Sequence, residues 1–239
     1  MARLQQLILA LVFLTRLPLG RFLPPKVLPL ASAAWAFPLA GVLVGAIAGL
    51  PLWFGQGLLP AALAVTFAVW LTGGLHEDAL ADFADAGGGR DRPDRLRIMR
   101  DSTIGSYGAA ALVCIMLIRV AALAQLDVAA LIAAMAAGRL APVLLMQVMP
   151  PARADGLGQA AGRPGRRACL VATVAALAIL TVAAPDMRSL AGAVVVALLA
   201  IWAVARRAGR LLGGQTGDVL GAACVVTETA VLVALTWGP

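Results

Sequence analysis

An all-α, polytopic transmembrane helical bundle of about seven spans is the fold class that this sequence predicts, and three observations carry it. The 239 residues are 62% hydrophobic and only 13% charged, where soluble domains stay near about half apolar, and mean hydropathy is +0.93. From residue 27 to residue 75 no side chain ionises. The apolar stretches are continuous, without the inward-polar, outward-apolar alternation of a membrane β-barrel.

Taken in order, residues 4–14 are apolar but short, bounded by Arg3 and Arg16, which suits an interfacial or tilted helix. A cleaved signal peptide fits less well, because Arg16, Arg21 and Lys26 separate this stretch from the nearest small-residue site, Ala31-Ser32-Ala33. The uncharged run 27–75 is broken near its middle by Gly55, Gln56, Gly57 and Pro60. It reads as a helical hairpin, since roughly 20 apolar residues cross a bilayer. Further apolar segments cover 107–125, 128–149, 169–184, 190–205 and 219–237, so the chain reads as one integral membrane domain over 1–239. Its cytoplasmic pieces are 73–108, 150–168 and 206–218.

That orientation comes from the basic residues. They fall into four groups: Arg3, Arg16, Arg21 and Lys26; Arg90, Arg92, Arg95, Arg97 and Arg100; Arg153, Arg163, Arg166 and Arg167; and Arg206, Arg207 and Arg210. All four land on one side of a seven-span bundle, and positive loops stay cytoplasmic. The net charge of +7 is therefore a topology signal, and nucleic acid is not expected as a partner because no soluble basic domain is visible. Membrane lipid is the surrounding partner, and a homo-oligomer is left open. Cys114, Cys169 and Cys224 stand singly in apolar segments and read as structural thiols.

Polar chemistry collects in three places. In "GGLHEDALADFADAGGG" (73–89), a helix at 100° per residue sets Asp78, Asp82 and Asp85 within an arc of roughly 60°. Like charges at that spacing weaken a helix, so a counter-charge is expected. Oxygen-only ligands suit a hard cation, Mg2+ or Mn2+, while His76 points away and reads as a cap or structural residue. A solvated acidic linker is the plain alternative. "RIMRDSTIGSYG" (97–108) adds Arg100, Asp101 and Ser102 before a glycine-rich helix start, the combination of guanidinium fork and free N–H groups that binds phosphate. "LGGQTGDVLGA" (212–222) brings Gly214, Thr216 and Asp218 to the start of the last span; Asp218 is either a helix cap or, with Thr216, part of the same site. Inside the spans, Arg119, Arg139 and Glu228 are costly unless paired or facing a wet cavity. They read either as a structural pairing of Glu228 with an arginine or as a pocket that draws in an anion.

Together with "TRLP" (15–18), "FPLAGVLVG" (37–45) and Gly138-Arg139, these blocks run through nearly the whole chain in an order that resembles the cobalamin synthase family, the adenosylcobinamide-GDP ribazoletransferases. Ala79, Phe83, Ala86 and Val225 depart from the family pattern, yet the three aspartates are intact. The resemblance implies a magnesium-dependent transferase in the bacterial cytoplasmic membrane with its site facing the cytoplasm. Adenosylcobinamide-GDP and α-ribazole, or its 5′-phosphate, are the implied substrates: the ribose 3′-hydroxyl attacks the cobinamide-side phosphorus and GMP leaves. It places Asp78 and Asp82 on magnesium, Asp85 on metal or as base, and Arg100, Ser102 and Arg139 on phosphate oxygens, with Asp101 and Asp218 as further metal candidates and Asp82 and Asp85 as the catalytic pair. An ion-coupled secondary transporter would also bury Arg119, Arg139 and Glu228, but no inverted repeat is visible. A lipid-type alcohol phosphotransferase shares clustered aspartates but not the D-x-x-x-D-x-x-D spacing.

Overall fold

The structure, a computed structural model, describes residues 2–25 and 28–238. Lys26, counted above in the first basic group, and Val27, the start of the uncharged run, lie outside the described residues. Helices make up the fold: α1 (Ala2–Leu14), α2 (Phe37–Ala48), α3 (Leu58–Thr72), α4 (Leu75–Asp85), α5 (Arg92–Ile98), α6 (Ser106–Leu123), α7 (Val128–Val148), α8 (Leu157–Ala160), α9 (Arg166–Ala183), α10 (Met187–Leu212) and α11 (Gly217–Leu235). No strand forms among the described residues beyond an isolated bridge, Pro151 to Gln215.

Six helical segments are long and apolar enough to cross a membrane: Leu30–Ala48, in which a 3-10 stretch runs into α2, then α6, α7, α9, α10 and α11. The seventh expected span is not a straight helix. It consists of α3 and α4 together, bent by 88°. Gly73 (φ 71°) and Gly74 (φ 72°) make the corner; two successive left-handed residues cost about 1–2 kcal/mol each with any side chain present, so the glycine pair ends α3 where a periodic apolar pattern would continue it. Gly73 and Gly74 donate to the carbonyls of Trp70 (3.1 Å) and Val69 (2.8 Å), and the Arg16 N–H donates to Leu71 O (2.8 Å), which fixes the corner from outside.

The centre of the bundle is α7 and α11, whose apolar windows are 72% and 78% buried against 17–22% for α6, α9 and α10. The outer helices turn Val113, Leu117, Leu170, Val174, Leu198, Leu199 and Trp202 outward, the expected pattern for a lipid-facing surface. Glycine in "FPLAGVLVG" explains the close α2–α7 seam: a Cβ at Gly41 would strike the Met135 carbonyl oxygen, and one at Gly45 would lie 2.7 Å from Ile132 Cα. Small residues that let backbones approach are how membrane helices gain contact.

Helix α1, at 13 residues, is too short to cross upright. It packs instead on the Leu30–Ala36 stretch, with Trp35 Nε1 donating to Gln6 Oε1 (2.8 Å) and the rings of Phe13 and Phe37 stacked 6.1 Å apart. At the other end of the chain the expected loop 206–218 shrinks to four residues, because α10 continues through Arg206, Arg207 and Arg210 to Leu212. The remaining turn "GGQT" clamps the 150–168 segment: Gln215 N–H donates to Pro150 O (2.9 Å), Ala152 N–H to Gln215 O (2.8 Å), and Gln215 Nε2 to Gly158 O (3.0 Å).

Candidate functional site

Two helices build the site. α4 returns from the corner to lie along α11 and α6, and at the α4–α11 crossing a Cβ on Gly221 would meet Ala79 Cβ at 2.5 Å. That approach brings the carboxylates of both helices to one place. Asp78 and Asp218 line the same cavity of ≈ 110 Å³, together with Arg153, His76 and an apolar wall that includes Phe13, Phe37 and Met146. Asp82 follows one turn later, and the charges that act on it are those of Asp78, Asp218 and Asp85. None of the four aspartates takes part in an ion pair among the described residues. α4 keeps the three aspartates on one helix, Asp78 at this cavity and Asp85 at a second cleft, and Asp218 is brought beside Asp78 from α11.

Asp218 is not a helix cap. Thr216 holds that position, its Oγ1 accepting from the Val219 N–H (3.3 Å) and lying 3.2 Å from Asp218 Oδ2, which leaves Asp218 in the first turn of α11, where it lines the cavity. Gly214 is buried against the 150–152 backbone, with no room for a side chain beside Pro150 O; its part is to let the clamp close. Asp85 sits at the end of α4, where its two carboxylate oxygens accept from Gly105 N–H and Gly108 N–H, both at 2.8 Å. Each oxygen keeps a free lone-pair direction, so the carboxylate is oriented with room for a further donor.

The "RIMRDSTIGSYG" segment divides. Asp85, Asp101, Arg97, Gly105 and Ser106 border an open cleft on the far side of Asp85. There Asp101 accepts from the N–H and Oγ1 of Thr103 (3.0 and 2.7 Å), bonds that hold its carboxyl below the usual range. Arg100 is exposed and grips both oxygens of Asp155 at 2.7 Å. Ser102 is exposed and borders neither cavity.

Arg139 is not where a phosphate ligand would stand. Its guanidinium donates to Glu228 and to Met135 O inside a network buried to about 2% exposure. Glu228 also takes Arg119, which reaches on to Glu77 Oε1 at 2.7 Å. One carboxylate therefore serves two arginines, and four helices, α4, α6, α7 and α11, are joined by three ion pairs among two arginines and two glutamates. The sequence offered Glu228 with one arginine as a structural pairing; Glu77 had no such signal, because nothing in its spacing separates it from Asp78.

Arg153 is the functional candidate that sequence reasoning missed. It counted only as one of many cytoplasmic basic residues, and no motif surrounds it. The segment that the "GGQT" turn clamps carries it to the cavity wall, and its Nε and Nη1 are buried without a hydrogen bond.

Among the described residues no three His, Cys, Asp or Glu side chains already converge on a metal position. The donor set nevertheless fits Mg2+. It is all oxygen, negative and free of ion pairs, and magnesium is usually held by one or two carboxylates, the rest of its shell being water and substrate phosphate.

These features define a class: an all-α, multi-pass membrane enzyme whose polar site opens at one end of the bundle. Residues 6–236 match the family model described as Cobalamin-5-phosphate synthase, and the chain belongs to that family of transferases of cobalamin biosynthesis. Proteins named "Adenosylcobinamide-GDP ribazoletransferase" resemble it along nearly their whole length. The one from Azorhizobium caulinodans is 45% identical, covering 94% of this chain and 92% of its own. That from Xanthobacter autotrophicus is 46% identical over 97% and 94%, and that from Bradyrhizobium diazoefficiens 41% over 94% and 90%. No solved structure matches the chain.

Proposed function

We propose that the chain joins α-ribazole, or its 5′-phosphate, to adenosylcobinamide-GDP in a magnesium-dependent reaction at the cytoplasmic face of a bacterial inner membrane. The acceptor's ribose 3′-hydroxyl oxygen forms a bond to the cobinamide-side phosphorus. The P–O bond of the diphosphate bridge breaks, GMP leaves with the electron pair, and the hydroxyl proton passes to a carboxylate. The observation that carries this reading is the meeting of Asp78 and Asp218, neither in an ion pair, with Arg153 at one cavity, Asp82 following one turn along α4 within reach of their charge. Displacement at a diphosphate needs charge neutralised on the attacked and leaving phosphates and an oriented hydroxyl.

Asp78, Asp82 and Asp218 are the residues that would hold magnesium, with Asp101 as an outlying candidate from the neighbouring cleft. The ion would supply charge neutralisation on the diphosphate. Asp85, held by two backbone N–H groups, is the oriented base; Asp82 is its neighbour in the catalytic pair. Arg100 and Ser102 stand on the open rim, where Arg100 can leave Asp155 for a phosphate oxygen at a cost of about 1 kcal/mol or less, the worth of an exposed pair. Thr216 and Gly214 serve by shaping the start of α11. The transporter reading loses its main support, because Arg119, Arg139 and Glu228 close on one another and on Glu77.

The test is release of GMP by the purified full chain in detergent, given adenosylcobinamide-GDP and either acceptor. Release is expected with Mg2+, is expected to stop with a chelator and to return with Mg2+ or Mn2+. No release in detergent with either acceptor would sink the reading.

A further inference from the structure

The family description and the relatives' printed names differ over the acceptor: one names a 5-phosphate product, the others a ribazole transfer. The cavity contains a group suited to that difference. Arg153 belongs to no element of the acidic cluster, yet it lines the cavity that Asp78 and Asp218 line. Its Nε and Nη1 are buried and make no hydrogen bond. The nearest carboxylate partner, Asp155, lies 3.8 Å away from Nε and is already held by Arg100 at 2.7 Å. Arg153 does act as a cation on Asp218, but through space and without a bond. An arginine that makes no hydrogen bond and lines a cavity is suited to an anionic oxygen such as a phosphate's, and a buried unpaired donor is costly until something fills it. The same cavity has an apolar part to its wall, which includes the stacked rings of Phe13 and Phe37. One molecule can satisfy both ends if it has a flat apolar base, a ribose between, and a phosphate on the sugar.

We infer that this cavity is the acceptor subsite and that Arg153 is its specificity-determining residue, which recognises the 5′-phosphate of the phosphorylated acceptor. The inference rests on the transferase reading above. The ribose hydroxyls then lie between the phosphate held by Arg153 and the base against the aromatic pair, in the cavity that Asp78 and Asp218 also line.

The experiment measures kcat/KM of the full chain in detergent for α-ribazole and for α-ribazole 5′-phosphate at saturating donor and Mg2+. The wild-type protein is expected to favour the phosphorylated acceptor about 10- to 100-fold, the range of a charge-assisted pair. Arg153→Gln is expected to bring that ratio close to one by raising KM for the phosphorylated acceptor, while the unphosphorylated acceptor loses much less. Arg153→Lys, which keeps the charge but not the fork, is expected to fall between. Equal losses for both acceptors would show that Arg153 works only by supporting Asp218, and would overturn the inference. So would a wild-type ratio near one, a result that needs no variant and leaves the transferase reading standing. Absence of GMP release with both acceptors overturns the transferase reading, and the inference with it.

Discussion

Glu228→Gln is the sharpest perturbation of the bundle that holds the site. In the wild-type protein two guanidiniums, Arg119 and Arg139, face two carboxylates, Glu77 and Glu228, with Arg119, Arg139 and Glu228 at about 2% side-chain exposure. The substitution preserves shape and removes one negative charge, so Arg139 loses its carboxylate and the cluster acquires a net positive charge where no water screens it. Removing one partner of a buried pair costs about 3–5 kcal/mol. At about 2–4 °C per kcal/mol for a chain of this size, the melting midpoint in detergent is expected to fall by roughly 6–20 °C. Glu228→Gln combined with Arg139→Met leaves only Arg119 with Glu77 and restores neutrality, so most of the loss is expected to return, a non-additivity that contact pairs show and distant ones do not. The assay is thermal unfolding followed by size-exclusion of the single and double variants. If the single variant melts within 2 °C of wild type, or the double variant melts no higher than the single, the buried network does not hold these helices and the reasoning is wrong.

Asp82→Asn is expected to abolish Mg2+-stimulated GMP release while melting as wild type does, since Asp82 makes no ion pair; wild-type turnover across a magnesium titration would remove the metal assignment. Gly74→Ala is expected to lower the melting midpoint by about 2–8 °C, the left-handed penalty of about 1–2 kcal/mol; an unchanged midpoint would mean the corner can form without glycine. Arg100→Ala is expected to raise the KM for adenosylcobinamide-GDP with little change in kcat or melting, because breaking its exposed pair with Asp155 costs about 1 kcal/mol or less; unaltered saturation by the donor would take Arg100 out of the site.

Apolar length and charge grouping made the bundle legible, and helical periodicity made the face of Asp78, Asp82 and Asp85 legible, because each depends only on residues close in sequence. The corner was hidden for the same reason. "TGGL" is small and uncharged, so hydropathy passes straight through Gly73 and Gly74, and positive φ has no hydrophobic signature. The end of α10 was set too early because Arg206, Arg207 and Arg210 break the apolar run without breaking the helix; Arg206 folds back over the Trp202 ring at 5.5 Å, the usual habit of a long basic side chain at a membrane edge. Thr216 and Asp218 lie two residues apart, and which of them caps α11 depends on where the clamp on Pro150 lets the helix begin. Glu77, Arg139 and Arg153 owe their roles to partners 42 or more residues away, or to a cavity wall. Such pairings exist only once the helices have met.

The 88° corner between α3 and α4 also decides where reactants meet the protein. A straight helix would have carried Asp78, Asp82 and Asp85 away from the bundle into open water, out of reach of Asp218. Folded back along α11, the acidic stretch becomes part of the bundle's own flank, and two adjacent letters divide the labour: Glu77 turns inward to the arginines, and Asp78 turns to the cavity. A substrate with a charged end and a bulky or greasy end can present the first to these carboxylates while the second stays against the bundle or the surrounding lipid.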